Sequence, residues 1–154
     1  MVEVTASGFV AAPPEQVWEL ASDTSRYAEW VVGTDAVTRT DGPAREGSTY
    51  DERNTILGPW KVSTRWRVVE FEPPKRQVHL SGDIPLASEF RVVMEVAPEG
   101  EGSRVTVTLA GAMNGVVGSL FGKAMRPGVA RDNRRTVEQF VEMASRERAV
   151  PARV

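Results

Sequence analysis

The stretch from Asp35 to Gly111 restricts the fold of this chain more than any other. Runs rich in Val, Thr and aromatic residues are cut at short intervals by turn-forming segments: DGPAREG at Asp41 to Gly47, LGPW at Leu57 to Trp60, EPPK at Glu72 to Lys75, GDIP at Gly82 to Pro85 and PEGEG at Pro98 to Gly102. Parallel strands need a crossover, usually a helix, and no helical pattern lies between these runs. The pattern therefore predicts six consecutive antiparallel strands. Glu3 to Val10, which alternates weakly and contains Thr and Val, predicts a seventh.

Helical signals flank this region. In APPEQVWELASDTSRYAEW, Ala12 to Trp30, Pro13 and Pro14 suit a first turn, where the missing N–H would be unpaired anyway, and Glu15 suits the positive end of the dipole. Val17, Trp18, Leu20 and Ala21 form one apolar side. Asp23 or Thr24 can cap a second short helix running through Tyr27 to Trp30. At the other end a long helix is expected from near Gly115 to near Arg146, with Val129, Ala130, Asn133, Val137, Phe140 and Ala144 on one stripe. Pro127 and Gly128 should kink or break it. The piece before them, VVGSLFGKAM, is glycine-rich and apolar nearly all round, and is expected to be the movable part.

Alternation assigns sheet faces. Val62, Thr64, Trp66 and Val68 fall on one side of their strand against Lys61, Ser63, Arg65 and Arg67. On the next two strands Val78 and Leu80, then Phe90, Val92, Met94 and Val96, are taken as inward, which puts His79 on the charged, solvent-facing side. In Ser48 to Leu57, the set Tyr50, Glu52, Asn54 and Ile56 is assigned inward because the neighbouring strand presents Trp66. One bulge would exchange the two sets.

Composition removes several chemistries. With no cysteine and one histidine, disulfides, thiolate zinc sites, cysteine nucleophiles and histidine metal clusters are excluded. Neither GxxxxGK[ST] nor GxGxxG is present, so no metal and no cofactor are expected. A net charge of −2 argues against nucleic acid as a partner, although the segment from Lys123 onward carries eight Lys/Arg against four Asp/Glu, a bias that a solvated helix face explains. No apolar run is long enough for a membrane span and no signal-peptide pattern opens the chain. The expected location is the cytoplasm, as monomer or homodimer, without stable membrane insertion.

The opening stretch, with VVEFEPPKRQVHL at Val68 to Leu80 and GEGSRVTVT at Gly100 to Thr108, resembles the START-like (SRPBCC) superfamily, which includes the birch-pollen-allergen type, lipid-transfer START domains and the bacterial polyketide cyclase/dehydrase and lipid transport families. The chain has Ala28 where many members have Pro. The resemblance implies an α+β helix-grip fold over residues 1–148, with a tail at 149–154: a curved seven-stranded antiparallel sheet gripping the C-terminal helix, two short helices, and a largely apolar cavity between sheet and long helix.

In such a cavity the expected lining is Tyr50, Asn54, Trp66, Phe90, Met94, Met113, Phe121, Met125 and Asn133. Glu52, with Tyr50, is the candidate for acid–base chemistry, since a buried carboxyl has its pKa raised. The alternative for Glu52 is a rim position, solvated or paired with an arginine. Asn133 either bonds a ligand or satisfies a backbone carbonyl. Trp18 is expected to pack, while Tyr27 and Trp30 stand nearer the mouth. The function expected is binding or transport of a hydrophobic small molecule: a lipid, polyketide or aromatic metabolite. The alternatives are a polyketide cyclase/dehydratase-type enzyme and a regulatory protein of a toxin–antitoxin-like pair.

Overall fold

The computed structural model describes residues 2–56 and 59–149, so part of the expected turn at Leu57 to Trp60 and residues 150–154 of the expected tail lie outside the described residues. The chain runs β1 (Val2–Val10), α1 (Pro14–Ser22), a single 3-10 turn (Thr24–Arg26), α2 (Tyr27–Trp30), β2 (Thr34–Thr40), β3 (Thr49–Ile56), β4 (Trp60–Glu72), β5 (Arg76–Ser81), β6 (Ala87–Glu99), β7 (Gly102–Met113) and α3 (Gly115–Ala149). All neighbouring strands are antiparallel, in the order β1-β7-β6-β5-β4-β3-β2. The seven-stranded sheet grips α3 in the expected helix-grip arrangement.

Local chemistry accounts for the element ends. Helix α1 starts at Pro14 with Glu15 in its first turn, and Asp23 caps the 3-10 turn by accepting from Ser25 N–H at 3.2 Å. The two short helices are pinned beneath the sheet. Tyr27 Oη donates to the Ala21 carbonyl at 3.0 Å, and Trp18 packs on Phe71 with ring centroids 5.2 Å apart.

Helix α3 lies along β1 and β7 and buries Val137, Phe140 and Ala144 of its stripe. It does not break at Pro127, which lies inside the continuous helix. Both Pro127 and Lys123, whose carbonyl loses its partner, sit on the exposed side, where solvent can reach that carbonyl. The glycine-rich first turns are helical too, with Val116, Val117 and Leu120 facing solvent.

The second departure concerns β5. His79 pairs with Val68 on one side and Val92 on the other, both inward positions, so His79 faces the core and is fully buried. Gln77 and Ser81 share that face, and Val78 and Leu80 take the opposite one. The assignment from apolarity inverts because the inward polar groups bond one another: Tyr50 Oη meets His79 Nδ1 at 2.5 Å, His79 Nε2 meets Gln77 Oε1 at 2.8 Å, and Gln77 Nε2 donates to Ser22 Oγ at 3.1 Å. Polar side chains that satisfy one another can be buried at little cost.

Candidate functional site: a cavity between the sheet and the long helix

A cavity of about 430 Å³ lies between the concave face of the sheet and α3. That size is in the range of about 300–1,000 Å³ that holds small organic molecules. Its wall contains Tyr50, Glu52, Asn54, Trp66, Phe90, Met94, Met113, Phe121, Met125 and Asn133. Tyr27 and Trp30 of α2 also reach it; Trp18 does not. Residues that the sequence reading did not single out complete the wall. Val107 and Leu109 were legible as alternating positions of the last strand. Thr34, Ile84 and Thr136 carry no such signal, because the start of β2, the β5–β6 loop and a turn of α3 bring them in.

The strands deliver these side chains by pleat. Tyr50 stands opposite Trp66, Glu52 opposite Thr64 and Asn54 opposite Val62, and these three residues of the β3 set assigned inward face the cavity; the Ile56 side chain lies outside the described residues. The other set faces out, where Asp51 is held between Arg39 and Arg65 at 3.1 and 2.7 Å. These guanidiniums hold the Asp51 carboxyl far below the usual range.

Most of the wall is hydrocarbon or aromatic surface, and two hydrogen-bonded polar sets reach it from the sheet. One reaches the wall at Tyr50 and runs behind it through His79 and Gln77 to Ser22. Burial drives the His79 pKa down to about 3, so its imidazole is neutral at physiological pH, and burial raises the phenols of Tyr27 and Tyr50.

The second set surrounds Glu52. Its Oε2 accepts from Asn54 Nδ2 at 3.0 Å and from Thr34 Oγ1 at 3.4 Å; Asn54 Oδ1 accepts from Thr64 Oγ1 at 2.6 Å, and Thr64 accepts from Trp66 Nε1 at 2.9 Å. Glu52 is 5% exposed and pairs with no arginine among the described residues, so the rim alternative does not hold. Burial pushes its carboxyl above the ordinary range, and the hydrogen bonds from Asn54 and Thr34 offset this in part. Asn133 does one of the two jobs open to it, donating from Nδ2 to the Val107 carbonyl at 2.9 Å, while its Oδ1 is sealed without a partner among the described residues.

Comparison with known proteins agrees with this architecture. The chain is 31% identical over 147 residues to toxin Rv0910 of Mycobacterium tuberculosis, covering 92% of this chain and 96% of that one. A crystal structure from Thermus thermophilus superposes with a TM-score of 0.73 at 23% identity, covering 94% and 98% of the two chains. The di-domain aromatase/cyclase StfQ from the steffimycin biosynthetic pathway superposes with a TM-score of 0.76 at 14% identity, over 97% of this chain and 52% of that one. The family model described as polyketide cyclase/dehydrase and lipid transport matches residues 1–144, and the chain belongs to that family.

Proposed function

We propose that this protein binds, and carries or presents, a hydrophobic small molecule in the cavity between sheet and long helix. The observation behind this reading is the cavity itself: about 430 Å³ of space between sheet and helix, walled mainly by apolar and aromatic side chains. Native mass spectrometry of the purified protein before and after organic extraction tests it. A specific co-purifying small molecule is the expected result. A protein that is empty and also ignores hydrophobic dyes would refute it.

An enzyme of the cyclase/dehydratase kind would use Glu52 to move protons. The side chains bonded to Glu52, Asn54 and Thr34, exchange no protons near neutral pH, and no second acid or base touches it among the described residues. Binding is therefore the simpler reading. The relative named as a toxin fits a second one, in which the protein is a regulatory member of a toxin–antitoxin-like pair. A stoichiometric protein partner recovered from the native host would favour that reading over a free carrier.

A further inference from the structure

The hydrogen-bond chain on the cavity wall has a fixed direction. It starts at Trp66, whose indole N–H can only donate. Thr64 Oγ1 receives that hydrogen and gives its own to Asn54 Oδ1. The Asn54 amide is thereby oriented with Nδ2 toward Glu52, and both Asn54 and Thr34 donate to the same carboxyl oxygen, Oε2. Oε1 is left without a hydrogen bond among the described residues. It is not one of the sealed partnerless atoms, which are Trp30 Nε1 and Asn133 Oδ1, so it opens on the cavity that Glu52 lines.

A carboxyl group with one oxygen occupied by two incoming donors carries its own proton on the other oxygen. Burial favours that protonated form. An O–H aimed into an apolar cavity is costly unless something accepts from it. Among the described residues no buried cation lines the cavity to receive an anionic headgroup: the basic side chain on the wall, Arg131, is 74% exposed and beside Asp132.

We propose that Glu52 is the polar anchor of the cavity, donating from Oε1 to one uncharged oxygen, carbonyl or hydroxyl, on an otherwise apolar ligand, and that the site turns away carboxylate headgroups. This rests on the binding reading above and adds to it the chemical class of the ligand.

Three probes of one shape test it by titration calorimetry: 2-acetylnaphthalene, 2-ethylnaphthalene and 2-naphthoate. In the wild type the ketone should bind and the carboxylate should bind far more weakly. Glu52→Ala should reduce the preference for ketone over hydrocarbon by roughly 3- to 10-fold, the range for one net hydrogen bond. Glu52→Gln should keep that preference, because its amide can accept from Asn54 and Thr34 on one side and donate to the ketone on the other. An unchanged ketone preference in Glu52→Ala, or a carboxylate that binds more tightly than the ketone, overturns the proposal and leaves the carrier reading standing. Failure of all three probes to bind the wild type overturns both. Infrared spectroscopy gives a measurement that needs no variant. The carbonyl stretch of bound 2-acetylnaphthalene should move to lower frequency than in an alkane solvent, and a stretch equal to the alkane value overturns the proposal.

Discussion

Burial acts strongly on the titration of His79. Its folded pKa is about 3, against an ordinary value of 6.5 for the unfolded chain. Between those values the unfolded state binds more protons, so stability falls as pH drops below 6.5 and this contribution levels off near pH 3. Urea denaturation should give a protein about 2 kcal/mol less stable at pH 5 than at pH 7 from this residue, and His79→Gln should flatten the difference. An equal pH dependence in wild type and variant would refute the assignment. The tautomer follows from the neighbours. Gln77 gives its N–H to Ser22 and turns Oε1 to His79, so Nε2 carries the imidazole proton and Nδ1 accepts from Tyr50. Tyr50→Phe strands a buried acceptor and should cost about 1–3 kcal/mol by the same denaturation assay, with an effect below about 0.5 kcal/mol counting against it. None of this was legible in the sequence, where His79 is one polar letter between Val78 and Leu80 and either phase of the alternation looks acceptable.

At the level of elements, α3 packs chiefly on β1, an edge strand of the sheet, and the two form a joint. Gly8 sits where the helix crosses: a Cβ there would lie 2.9 Å from Val141 Cγ2 and 3.0 Å from Val137 Cγ1. Gly128, on the same helix, has open space at the corresponding point. The two glycines should therefore respond oppositely to alanine. Gly128→Ala should stabilise by about 0.5–1 kcal/mol through helix propensity, and Gly8→Ala should destabilise by about 1–3 kcal/mol by forcing the helix off the strand. Thermal denaturation of both variants checks the signs, and a stabilised Gly8→Ala would mean the joint is looser than described. The helix itself was legible as a stripe through Val137, Phe140 and Ala144. Its passage through Pro127 was not, because the cost of proline depends on whether the orphaned carbonyl meets water or protein, and that is set by the neighbouring surface.

For the whole molecule the decisive quantity is the empty volume. A fold of this size normally packs its interior to crystal-like density, and unfilled apolar space costs stability. Filling it should then separate stability from binding. Val92→Phe, which adds volume on the cavity wall, should leave the denaturation midpoint unchanged or raised while abolishing uptake of a hydrophobic dye. Loss of stability together with unchanged dye uptake would place the dye elsewhere. The sequence by itself determined the order of elements, the antiparallel connectivity and the inward phase of β3, β4 and β6, because turn residues and period-two alternation act locally. Only the tertiary structure decided the phase of β5, the burial of Glu52 and His79, and the direction of the hydrogen-bond chain that ends at Glu52. Those depend on which polar groups meet across strands distant in sequence, and a polar residue reads the same along the chain whether it finds water or a buried partner.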